Sequence, residues 1–124
     1  MKSITVLKVS PGRSPEVISI PHNLKAMQTL VGGTIQAVYP FENPVAIVCN
    51  DDGKLLGLKP NRALRDPDTG EILDILCGTF FICGLTEDDF GSLTGEQIAK
   101  YSKLFEYPEM FLWNGRNLVV LKIA

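Results

Sequence analysis

The sequence predicts one α+β domain spanning residues 1–124: a mixed or mostly antiparallel sheet of roughly six to seven short strands with two helices packed on it. Three observations carry this. Short β-branched runs alternate with turn residues along most of the chain. Two segments have helical periodicity and carry their own capping residues. A length of 124 residues fills one ordinary domain and not two.

In order along the chain, Ile4, Val6, Leu7 and Val9 mark a first strand, and Val17, Ile18 and Ile20 a second. Ser10-Pro11-Gly12-Arg13 is the turn between them, so residues 3–9 and 15–20 read as a hairpin. Asn23 is a good N-cap, because its side-chain oxygen accepts from an early free amide. Leu24, Met27, Leu30 and Val31 then share one helical face, and Gly32-Gly33 ends the helix. Thr34 to Tyr39 alternates as a strand. Val45 to Cys49 is continuously apolar, as a central strand is. Asn50-Asp51-Asp52-Gly53 reads as a tight turn with Lys54 to Leu58 as the return strand. Lys59 to Arg65 is short and basic, and Asn61 is placed to cap a single helical turn. Asp66-Pro67-Asp68-Thr69-Gly70 is a turn, and the stretch from Asp74 to Gly84 reads as one core strand. Thr86 to Gly91 is an acidic loop. Thr94-Gly95-Glu96-Gln97 is a capping box, flanked by Leu93 and Ile98 as a hydrophobic staple. That second helix runs to about Phe105 and Tyr107-Pro108 ends it. Asn114-Gly115 is a turn, and Leu118 to Ile123 is the last strand.

Composition excludes several classes of function. A formal net charge of −2 gives no general attraction to duplex nucleic acid or to an anionic membrane. The apolar run from Ile72 to Leu85 is broken by Asp74, Gly78 and Gly84, too short and interrupted to span a bilayer. The opening MKSITVLKVSPG has neither the apolar core nor the cleavage site of a signal peptide. Cys49, Cys77 and Cys83 form no C-x-x-C pair, which argues against a disulfide framework and a zinc site. If Cys77 and Cys83 share one strand, they stand about 20 Å apart and do not bridge. Together these features point to a soluble protein of a reducing cytoplasm.

No catalytic set is assembled by the sequence, no metal-ligand set is present, and no cofactor is implied. His22 is the only histidine and has no nucleophile near it in sequence, so it reads as a capping or exposed residue. Asp66-x-Asp68 misses the calcium-loop pattern and reads as a turn. The segment from Lys59 to Arg65 is the most suggestive. Asn50, Lys59, Asn61, Arg62 and Arg65 form a candidate site for a small anion, since arginine presents a planar fork that matches phosphate or carboxylate. The structural alternative is that Arg62 and Arg65 pair with Asp66, Asp68 or Glu71 and pin the loop. Glu87, Asp88 and Asp89, with Tyr107, Phe111 and Trp113, are candidate contacts for a protein partner. The alternatives are a solvated acidic loop and core packing.

Five stretches also carry a family likeness: Val31-Gly32-Gly33-Thr34-Ile35; Val48-Cys49-Asn50-Asp51-Asp52-Gly53-Lys54; Gly57-Leu58-x-Pro60-Asn61-Arg62-Ala63-Leu64; Gly78-Thr79-Phe80-Phe81-Ile82; and Ser92-Leu93-Thr94 with the helix after it. In these the chain resembles a small domain of unknown function encoded by phages, plasmids and conjugative elements of mostly Gram-positive and gut bacteria. The likeness covers most of the chain and weakens after Tyr107. It implies a non-enzymatic accessory protein in a bacterial cytoplasm. Such a protein is expected to block a host defence effector by protein–protein contact, or else to sequester a small anionic ligand such as a signalling nucleotide. A third expectation is an oligomerising module that pairs with further copies of itself.

Overall fold

The computed structural model describes residues 2–123, and among them the chain forms two helices and ten strands. In chain order these are β1 (Ser3–Val9), β2 (Glu16–Pro21), α1 (Leu24–Val31), β3 (Ile35–Val38), β4 (Val45–Asn50), β5 (Pro60–Arg65), β6 (Ile72–Cys77), β7 (Phe80–Leu85), β8 (Phe90–Gly91), α2 (Gly95–Leu104), β9 (Glu109–Trp113) and β10 (Leu118–Lys122). The main sheet has the order β2-β1-β7-β4-β3, with β8 added to β7. The pairs β5–β6 and β9–β10 form two further, two-stranded sheets. Every pairing is antiparallel.

β4 and β7 are the middle strands because their residues are apolar in both directions. Side chains alternate between the faces of a strand, so a continuous apolar run suits a sheet covered on both sides. Val45, Ile47, Phe80 and Ile82 join Leu7 and Val9 of β1 in one cluster, with Tyr101 and Phe105 from α2 and Leu64 and Leu76 from β5 and β6. Ala46, Val48, Phe81 and Cys83 join Ile4 and Val6 in a second, with Met27 and Val31 from α1. The helices therefore contribute to two different cores.

The helix ends follow local chemistry. The Asn23 side chain accepts from the Ala26 amide at 2.8 Å, and Gly32 closes α1 in the left-handed conformation. The capping box of α2 is complete, with Thr94 Oγ1 accepting from the Gln97 amide and Gln97 Oε1 accepting from the Thr94 amide. Among the described residues no helix is long and apolar enough to cross a membrane.

Four expectations are corrected. The strands are more numerous than six to seven and lie in three sheets. Lys54 to Leu58 is not a return strand. Its amides turn back on their own loop, from Leu56 to the Asp52 carbonyl and from Leu58 to the Gly53 carbonyl. Lys59 to Arg65 holds strand β5 and no helical turn, because its ladder to β6 outweighs the capping tendency of Asn61. The run from Asp74 to Gly84 is two strands, broken where Gly78 takes a φ of +81°, so Cys77 and Cys83 lie on different strands. All three cysteines are free.

Gly84 is the most tightly covered of the glycines. A Cβ there would stand 2.3 Å from the Ser92 carbonyl oxygen, while a Cβ at Gly95 meets nothing within 4 Å. Gly84→Ala is expected to cost about 2 kcal/mol or more, whereas Gly95→Ala stays neutral or stabilises by up to ~1 kcal/mol. Urea unfolding midpoints of the two variants check this.

Candidate functional site

β5 carries the polar node of the protein. Asn61 and Arg62 are each only 1% exposed. The Asn61 amide nitrogen donates to the carbonyls of Val9 and Gly78, each at 2.9 Å. Its oxygen accepts from Arg62 Nη1 at 2.8 Å. Arg62 also donates to the Asn61 carbonyl at 3.2 Å and, through Nη2, to the Arg13 carbonyl at 2.7 Å. Its Nε and Nη2 both reach the Phe105 carbonyl, at 3.3 and 3.0 Å. Phe105 is the C-cap of α2. A helix C-terminus has free carbonyls and a partial negative charge, which is where a buried cation is best placed. Burial still pulls the guanidinium below its ordinary pKa, and the nearby Glu109 charge pushes it back up.

The other candidate ligand residues do not converge on this node. Asn50 is buried elsewhere, donating to the Val31 carbonyl at 3.1 Å and accepting from the Asp52 amide at 2.8 Å. It lines a groove of about 380 Å³ with Gln36, Cys49, Lys54, Asp74 and Cys77. Lys54 and Asp74 pair across that groove. Lys59 is exposed. Arg65 pairs with Glu109 at 2.8 Å, not with the acidic turn beside it. The arginines thus do act on the structure, but through carbonyls and through a carboxylate 44 residues away in sequence.

His22 Nε2 lies 3.1 Å from Asp89 Oδ2, outside the angle that a hydrogen bond needs. The loop of the acidic residues thereby touches the start of α1. No sequence spacing announced this contact. Burial pushes all three cysteine thiols up, with Cys83 raised to about 12. A thiol held protonated is a poor nucleophile.

The candidate partner residues lie on the surface. Glu87, Asp88 and Asp89 are exposed, Tyr107 is 45% exposed and Trp113 is 69% exposed, while Phe111 is half-buried. Phe111 and Trp113 belong to β9, a strand the sequence did not reveal, because Met110-Phe111-Leu112-Trp113 reads as an unbroken apolar run. The signal was available in Asn114-Gly115, a strong hairpin turn, with Leu118 to Lys122 after it. Cross-strand partners share a face. One face of this arm therefore carries Met110, Leu112, Val119 and Leu121, with no charge among them. The other carries Glu109, Phe111, Trp113, Leu118, Val120 and Lys122. Its root is held by Glu109, whose Oε1 accepts from the Ala63 amide at 2.6 Å while Oε2 meets Arg65.

Arg62→Ala is expected to lower the unfolding free energy by about 3–5 kcal/mol, since it strands the Phe105 and Arg13 carbonyls and the Asn61 side chain inside the protein. Urea unfolding measures that loss. A thiol-specific reagent at mildly alkaline pH should modify Cys77 first and leave Cys83 untouched until the chain unfolds, as mass spectrometry of digests would show.

A family model described as a domain of unknown function (DUF3846) matches residues 2–106. No curated protein and no solved structure matches the chain. The match takes in the main sheet, both helices and the Asn61–Arg62 node, and it stops short of the β9–β10 arm. With most of its length matched, the chain belongs to the DUF3846 family.

Proposed function

We propose that this chain is a non-enzymatic binding protein of a phage or mobile element. It acts in the cytoplasm of the bacterial host, as a stoichiometric inhibitor of a defence effector, by protein–protein contact. One observation carries the reading: the β9–β10 arm exposes Met110, Leu112, Trp113, Leu118 and Leu121 together, each between 39% and 69% accessible. Apolar side chains gathered on one exposed element mark a contact surface, because a single partner can remove all of that apolar area from water at once. The acidic loop Glu87–Asp89 offers a second surface that suits a basic partner. The mobile-element setting is supported by the likeness of motifs such as Gly57-Leu58-x-Pro60-Asn61-Arg62.

The alternative is a sponge for a small anionic ligand such as a signalling nucleotide. Against it, the donors of Asn61 and Arg62 are already committed to carbonyls inside the protein. Of the basic residues considered, Lys59 is the one left exposed to solvent.

The two readings separate in one pair of measurements. Immobilised wild-type chain should capture a host protein in fixed ratio, Trp113→Ser should release most of it, and nucleotides should leave Tm unchanged. A saturable rise in Tm with a nucleotide, together with capture indifferent to Trp113, would favour the sponge.

A further inference from the structure

We propose that the outer edge of β3 is a docking surface separate from the arm, which takes an extended segment of a partner protein as a further strand with a basic side chain over the acidic groove beside Gln36. The register of the ladder fixes which main-chain groups are available there. In an antiparallel pair alternate residues turn their N–H and C=O toward the partner strand, and the rest turn them away. The Asp51 amide donates to the Thr34 carbonyl at 2.9 Å, and in the same register Gln36 stands opposite Cys49 and Val38 opposite Ile47. Thr34, Gln36 and Val38 therefore face β4. Ile35 and Ala37 turn their amides and carbonyls outward, and among the described residues no strand lies beyond them. Both are only half-buried.

The opposite edge of the same sheet is guarded. The His22 amide donates to the Lys2 carbonyl at 3.0 Å, so Ile20, Ile18 and Glu16 face β1. Pro15, Val17, Ser19 and Pro21 then face outward, and the two prolines have no amide to give. Ile35-Gln36-Ala37-Val38 of β3 holds neither a proline nor a charge. An unguarded edge is a template for strand addition. This edge is also held ready. The Asn50 side chain donates to the Val31 carbonyl at 3.1 Å and accepts from the Asp52 amide at 2.8 Å. A Cβ at Gly33 would stand 2.9 Å from Asn50 Nδ2, so glycine lets the chain enter β3 that closely. A preformed edge loses little freedom on binding.

The groove sets the charge of the segment. Gln36 and Cys49 are cross-strand partners on one face, and both line the groove of about 380 Å³, which therefore reaches the edge strand. Its charged residues are Asp51, Asp52 and Asp74 against Lys54. Lys54 is spent on Asp74, and among the described residues Asp51 and Asp52 have no ion-pair partner. On an added strand the side chain opposite Gln36 lies on the groove face, about 4.8 Å further out. A lysine or arginine there is attracted by two unneutralised carboxylates, and an aspartate or glutamate is repelled. Its sequence neighbours fall on the other face beside Ile35, which packs on the core beneath α1. Apolar side chains suit those positions. The fitting partner is an extended segment that alternates apolar and polar residues around a basic centre.

Selection of short random linear peptides on the immobilised full chain tests this. Enriched peptides should alternate apolar and polar residues around a lysine or arginine. They should bind Ala37→Pro at least roughly tenfold more weakly, since proline removes an outward amide. Circular dichroism of that variant should match the wild type, because the lost amide bonds to no strand. Asp51→Asn with Asp52→Asn should weaken the basic peptides roughly tenfold. Should Ala37→Pro misfold, the wild type decides: the Ile35 and Ala37 amides must gain protection from hydrogen exchange when a selected peptide is added. No enriched peptide, peptides without a basic residue, or peptides that leave those amides unprotected would overturn the proposal. A wild-type dimer in sedimentation velocity that Ala37→Pro dissolves would give the edge to a second copy of the chain and overturn it too. Trp113→Ser should bind the peptides as the wild type does, so failure of the arm and failure of the edge show in different variants.

Discussion

Arg62 carries its charge into a place where, among the described residues, no carboxylate stands within ion-pair distance. Leaving such a cation unpaired would cost several kcal/mol, and a lone ammonium would lose its proton there. The guanidinium is held instead by five hydrogen bonds to the Asn61 side chain and to three carbonyls. Those carbonyls belong to the β1–β2 turn, to β5 and to the last turn of α2. Three elements far apart in sequence are thereby fixed to one planar group. Asn61 extends the set to the end of β1 and to the Gly78 break between β6 and β7. Among the described residues the second core beneath α1 has no polar node of comparable reach.

The arm obeys a different rule. Its tie to the body is Glu109, which spends one oxygen on the Ala63 amide and the other on Arg65. Ala63 and Arg65 follow Arg62 on β5, so the arm hangs from the strand that holds the node. The family match ends before it. A body built around an internal cation, with an apolar arm attached at its edge, is an arrangement in which the arm can change its contacts while the body keeps its fold. In the proposed function the arm's exposed leucines and tryptophan are what the host protein covers.

Much of the body was legible because its signals are local. Asn23 and Thr94 cap helices by touching amides three residues away, and the β1–β2 turn is written in Ser10-Pro11-Gly12. What failed to show was non-local. Nothing in Lys59 to Arg65 tells that its middle residues face inward, since the partners of Arg62 are 49 and 43 residues away. The same three cations that suggested an anion site thus divide between a buried clamp, an ion pair with the arm and an exposed lysine. The break at Gly78 was hidden by the apolar residues on either side of it. Strand β9 was hidden because an arm with two apolar faces lacks the alternation that marks a half-buried strand.

Hydrogen exchange of the isolated chain tests the division between clamped body and uncovered arm most directly. Amides of β4 and β7 and those at the end of α2 should exchange only through global unfolding, while amides of residues 110–121 exchange much faster. Arm amides as slow as those of β7 in the isolated chain would contradict the account, since the arm would then be a covered part of the body with no need of a partner.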